Sequence, residues 1–115
     1  MKLGHIELFV RDPMASRNFY EEVLGFEVAT VQQETFVWLV SGGVEILLRP
    51  GNPRESSSTY QEASQAFVLY TDDLETAAQG LRNKGVTIDG TDGSDDCLTF
   101  RDTDGHWFQL VNPGE

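Results

Sequence analysis

Residues Leu3 to Val28, LGHIELFVRDPMASRNFYEEVLGFEV, constrain the fold most, because one short run encodes a strand, a capped helix and a second strand. In residues 3–10 the apolar Ile6, Leu8 and Val10 alternate with His5, Glu7 and Phe9, the period of a half-buried strand. One face can cover a core while His5, Glu7 and Phe9 enter a different environment. Asp12 stands where a helix N-cap belongs, and Pro13 takes the first helical position, where its missing N–H costs nothing. Ala15, Phe19, Tyr20, Val23 and Leu24 share one helical face, and Gly25 suits a left-handed stop, which predicts a helix over Asp12–Leu24.

The same order returns later in the chain. Phe26–Val31 reads as a strand, and Thr35–Ser41 and Val44–Arg49 form a hairpin across Gly42-Gly43, so the first module is βαβββ. Pro50-Gly51-Asn52-Pro53 closes it, and the Ser- and Glu-rich Arg54–Ser64 reads as an exposed linker. Gln65–Thr71 is the next strand, Asp73 the next N-cap, and Leu74, Ala77, Ala78 and Leu81 the stripe of a helix over Asp73–Lys84. Val86–Ile88 is expected as a short strand and Gly90–Asp96 as a polar turn. Leu98–Arg101 and His106–Val111 make a closing hairpin across Asp102-Thr103-Asp104-Gly105. His5 precedes Asp12 by seven residues as Ala66 precedes Asp73, and Gly42 precedes Pro50 by eight as Gly105 precedes Pro113. Two such modules, about 1–50 and 65–115 with a linker at 51–64, are expected to pair as a single α+β domain of residues 1–115.

Charge narrows the partners. Eight Lys and Arg against nineteen Asp and Glu give −11, with a pI near 4.4, so nucleic acid and anionic membrane surfaces are excluded as natural partners. A cationic ligand would be drawn in, although solubility alone explains such a surface. The lone Cys97 allows no internal disulfide and reads as a small core residue in or beside a strand. No signal-peptide pattern or membrane-length apolar run is present, and a cytoplasmic location is expected. No nucleophile elbow, phosphate-cradling glycine loop or His-Glu-x-x-His helix occurs, and Asp102-x-Asp104-Gly105 reads as a turn rather than a calcium loop.

FYEEVLGFEV after a strand and Asp-Pro, together with the closing FRDTDGHWFQLVNP, resembles the glyoxalase/bleomycin-resistance/extradiol-dioxygenase superfamily, the vicinal oxygen chelate proteins. The resemblance covers essentially the whole chain. It implies paired βαβββ modules curling into a mixed sheet around a cleft, with helices outside and a second chain commonly completing the cleft as a homodimer. It also implies a divalent metal held by ligands on the first and last strands of each module, with open positions for a substrate bearing adjacent oxygens. On this chain those positions match His5, Ile46, Ala66 and Gln109: one good ligand, two residues that cannot bind, and an uncharged amide. Glu45 adjoins Ile46 but needs a one-residue shift to turn toward the site.

The expected function is therefore binding of a small organic ligand, cationic or aromatic, without the full metal-ligand set and with no resident cofactor. The alternative is a divalent-metal-dependent lyase or isomerase, or an extradiol-type dioxygenase, with an atypical site on His5, Gln109 and Glu45. Strand parity gathers His5, Glu7, Phe9, Tyr70, Trp107 and Gln109 as ligand-binding candidates, with Val44, Ile46 and Leu48 on the opposite wall and Trp38 able to face either way. His5 either lines the cleft or acts as a base, and His106 is expected at the surface.

Overall fold

A computed structural model describes residues 1–54, 57–94 and 97–114; Glu55 and Ser56 of the expected linker, and Asp95 and Asp96 of the expected turn, lie outside the described residues. The chain divides into two compact units, Met1–Arg54 and Glu55–Glu115. Both are α+β, and each carries an open four-stranded mixed sheet and a helix.

In the first unit, β1 (Ile6–Val10) leads to Asp12, whose Oδ1 accepts from the N–H groups of Met14 (3.1 Å) and Ala15 (3.3 Å) and so caps α1 (Pro13–Asn18). The expected single helix to Leu24 does not continue as α. Over Phe19–Val23 it widens into a π turn, with the Leu24 N–H bonded to the Phe19 carbonyl at 3.2 Å. Tyr20 is thereby fully buried, its ring 5.6 Å from both Phe19 and Phe26. β2 (Glu27–Gln32), β3 (Phe36–Ser41) and β4 (Val44–Pro50) follow, and the sheet order is β1-β4-β3-β2. β1 runs parallel to β4, while the other neighbours are antiparallel hairpins. Gly42 and Gly43 both take positive φ in the β3–β4 turn, as a two-residue hairpin requires; Gln33 and Glu34 adopt the same conformation in the β2–β3 turn without being glycine. α1 packs on β3 and β4, and Leu8, Val10, Val37, Leu39, Ile46 and Leu48 form the core.

The second unit repeats the plan. β5 (Phe67–Tyr70) precedes Asp73, which accepts from the Thr76 N–H (3.0 Å) and hydroxyl (2.9 Å) and caps α2 (Leu74–Asn83). The expected strand at Val86–Ile88 is displaced. The pairing falls instead on β6 (Gly90–Thr91), against β7 (Cys97–Arg101), after the Asp89 N–H has bonded to the Thr99 carbonyl at 2.7 Å. Polar residues make this pairing, and beside it Arg101 forms an ion pair with Asp89 at 3.4 Å, a contact that apolar periodicity cannot reveal. β8 (Trp107–Val111) completes the order β5-β8-β7-β6, with β5 parallel to β8. Phe100 stacks on Phe108 at 5.3 Å, the Phe67 ring lies 5.4 Å from Phe108, and Leu110, Ala78 and Leu81 are buried in the same unit. Among the described residues no helix is long and apolar enough to cross a membrane.

Candidate functional site

Strand register decides which side chains share a face. In the first sheet Glu7 lies opposite Leu47, Phe9 opposite Arg49, and Trp38 opposite Leu47. One face therefore carries Glu7, Phe9, Leu47, Arg49 and Trp38, while Ile6, Leu8, Ile46 and Leu48 point into the core. The expected placement of Ile46 and Leu48 on a cleft wall is corrected by this pairing: both are buried core residues, whereas Val44 at the strand's start is exposed. Ile46-Leu47-Leu48 is an unbroken apolar run, so its parity was hidden. The same register turns Glu45 to the face of Glu7 with no bulge.

The polar centre of this face is one carboxylate. Glu7 Oε2 accepts from His5 Nε2 at 2.8 Å, and Glu7 Oε1 accepts from Arg49 Nη1 at 3.1 Å. Those two contacts, His5 first and Arg49 second, hold the Glu7 carboxyl below the usual glutamate range. Aromatic groups surround it. The His5 ring meets Trp38 edge-on at 4.8 Å, and the Arg49 guanidinium carbon lies 5.6 Å from the rings of both Phe9 and Phe36. Trp38 donates its indole N–H to Gln32 Oε1 at 3.4 Å. Phe9 is 48% exposed, and Gly51 backs it so closely that a Cβ there would lie 2.9 Å from Phe9 Cβ.

The remaining candidates share a face of the second sheet, where Gln109 lies opposite Val68 and Thr99, and Trp107 opposite Arg101. Trp107 is only 4% exposed. Tyr60 meets it edge-on at 5.9 Å, Arg101 lies over it at 4.9 Å, and its indole N–H reaches Ser57 O (3.2 Å) and Oγ (3.1 Å). Gln109 donates its amide to Asp92, whose carboxyl is held low mainly by its hydrogen bonds to Ser94, with Gln109 and Cys97 adding to the effect. The Tyr60 phenol is pushed up, first by burial and then by Asp92 and Cys97. Tyr70 stands 75% exposed.

His5, Glu7 and Phe9 are thus gathered on one sheet, and Tyr70, Trp107 and Gln109 on the other. Arg49, Tyr60 and Asp92 were not singled out from sequence; Tyr60 opens a short 3-10 turn (Tyr60–Glu62), Asp92 lies in a loop, and Arg49 required the β1–β4 register. His106 corrects a second expectation. Its side chain is 12% exposed, and its Nδ1 lies 2.7 Å from the fully buried Asp102 carboxylate. Asp102 Oδ1 also accepts from the N–H groups of Asp104 (2.9 Å) and His106 (2.8 Å), and Gly105 takes φ +90°, so the segment is a turn.

Among the described residues no group of three or more His, Cys, Asp or Glu side chains is placed to hold a metal ion. His5 Nε2 is engaged by Glu7, the Gln109 amide by Asp92, and Ile46 sits in the core. The donor set does not fit the divalent centre that the strand positions would otherwise suggest.

The family model described as Glyoxalase/Bleomycin resistance protein/Dioxygenase superfamily matches residues 2–110, and the chain belongs to that superfamily. Solved structures agree with the α+β architecture. The integron cassette protein VCH_CASS1 from the mobile metagenome of V. cholerae is 27% identical, with a TM-score of 0.72 and 98% of each chain covered. TnmS3, an antibiotic binding protein from Streptomyces sp. CB03234, is 22% identical, with a TM-score of 0.71 and 98% of each chain covered. The genomically encoded fosfomycin resistance protein FosX from Listeria monocytogenes is 20% identical, with a TM-score of 0.73 over 96% of this chain and 90% of its own.

Proposed function

We propose that this protein binds a small organic compound with a flat aromatic part, on the sheet face built by His5, Glu7, Phe9, Trp38 and Arg49, and that binding needs no metal ion. The observation that carries this reading is the Glu7 carboxylate, which fixes His5 and Arg49 at 2.8 and 3.1 Å amid aromatic side chains. Such a surface offers stacking area with a few oriented polar groups, which is what small-molecule recognition uses. Kinship with an antibiotic binding protein points the same way. Tyr70, Trp107 and Gln109 share a face of the second sheet, where exposed Tyr70 is a second candidate contact and a ligand would reach Trp107 and Gln109 only by displacing Tyr60 and Asp92. The protein is proposed to act as a homodimer, because Phe9, Val44, Val68 and Tyr70 leave apolar area exposed. Titration of planar aromatic compounds, followed at the indole N–H signals of Trp38 and Trp107, tests the reading: saturable shifts at Trp38 support it, and silence across the library refutes it.

One observation favours a second reading. Glu45 shares the Glu7 face, so a metal-dependent lyase or dioxygenase built on His5 and Glu45 has two donors on one sheet. Stoichiometric Ni, Zn, Fe or Mn that survives dialysis and disappears in His5→Ala would select it.

A further inference from the structure

We infer that the compound bound on the first sheet presents a carboxylate to Arg49, with its ring beside Trp38; this rests on the binding reading above. Arg49 spends Nη1 on Glu7, while its Nε is buried and has no hydrogen-bond acceptor among the described residues. A guanidinium carries five N–H donors in a planar fork, and the edge formed by Nε and the second terminal nitrogen matches the two oxygens of a carboxylate. The fork is not free to sweep. Phe9 and Phe36 flank it at 5.6 Å each, and the Glu7 ion pair holds one side. The side chain is nevertheless 39% exposed, which leaves part of it open to an incoming group. An acceptor arriving there, as the flanking rings give way, would satisfy a donor already withdrawn from water.

The local chemistry opposes the global charge. The chain carries −11 overall, which by itself favours a cation. Glu45 also lies on this face, but the Glu7 carboxylate at its centre already accepts from His5 and from Arg49, one contact on each oxygen. The field of distant acids is screened over about 8 Å at physiological ionic strength, whereas a bidentate contact acts directly. Recognition should therefore follow the arginine, with the acid surface lowering affinity for every anion by a common factor.

Matched ligands separate these effects. 2-Naphthoate, 2-naphthamide and 2-naphthylmethylammonium share one ring and differ in charge. Each is titrated against the native chain, Arg49→Met and Arg49→Lys, with the Trp38 indole N–H signal as reporter and amide dispersion as the check on folding. The expected result is that naphthoate binds at least about tenfold tighter than the other two. Arg49→Met should abolish that preference, and Arg49→Lys should retain part of it. Equal affinities, tighter ammonium binding, or a preference that survives Arg49→Met would overturn the carboxylate assignment while leaving binding on this face intact. Failure of all three compounds to bind would overturn both.

Discussion

Replacing Asp102 by Ala should be among the most damaging single changes in the second unit. The carboxylate is fully buried and receives at least three donors: the N–H of Asp104 at 2.9 Å, the N–H of His106 at 2.8 Å and His106 Nδ1 at 2.7 Å. Hydrogen bonds to a charged acceptor contribute about 1.5–3 kcal/mol each, and removing the acceptor strands donors that are only partly solvated. The low end for the two backbone bonds plus a smaller share for His106 gives a loss of about 3–5 kcal/mol, a large part of the total stability of a small protein. At about 4 °C per kcal/mol for a chain of this length, the midpoint should fall by about 12–20 °C. Asp102→Asn keeps an oxygen for the two backbone donors and should lose about half as much or less. Exposed Thr103 in the same turn serves as the control, with Thr103→Ala within about 0.5 kcal/mol of the native chain. Urea unfolding of the three variants measures the order. A loss below about 1 kcal/mol for Asp102→Ala, or equal losses for Ala and Asn, would refute the reasoning.

Glu34→Gly should stabilise the chain by about 0.5–1 kcal/mol in urea unfolding, because Glu34 holds φ 54° in a tight turn where glycine is unstrained. Gly51→Ala should displace Phe9, since the new Cβ would come within 2.9 Å of Phe9 Cβ; weaker binding to the first sheet, and a loss of about 1–3 kcal/mol, are the expected readouts. The Glu7 contacts set a pH dependence. The carboxyl is held below its ordinary value, so the stability it contributes is present above the usual glutamate range and is lost as pH falls through the depressed value. Unfolding measured from neutral to acid pH should show that loss, and Glu7→Gln should diminish it. Asp12→Ala should lower stability by about 1 kcal/mol through loss of the α1 cap.

Local signals were legible where one short stretch settles the outcome. Asp12-Pro13, Asp73 and the Gly42-Gly43 turn announced both helix starts and the β3–β4 hairpin, because caps and primed turns depend on neighbouring residues alone. The π turn at Phe19–Val23 was not legible, since its apolar spacing also suits an α-helix and the choice depends on seating Tyr20 against Phe26. Nor was β6, which pairs through Gly90 and Thr91 without any apolar alternation. His5, Glu7 and Phe9 could be placed on one face by strand period. Arg49 could not, because the parallel register of β1 and β4 is a long-range fact and Leu47 disguises the parity of its strand. Trp107 illustrates a different limit: parity gave its face, but Tyr60 and Ser57, which cover it, come from a segment with no periodic signal.

The most direct test of metal-independent recognition uses the two tryptophans as separate reporters. Protein stripped with chelator and dialysed is titrated with planar aromatic carboxylates while both indole N–H signals are followed. The expected result is a saturable shift of the Trp38 signal, with the same affinity before and after stripping. A shift that returns only when a divalent metal is restored, or one confined to Trp107, would contradict the claim.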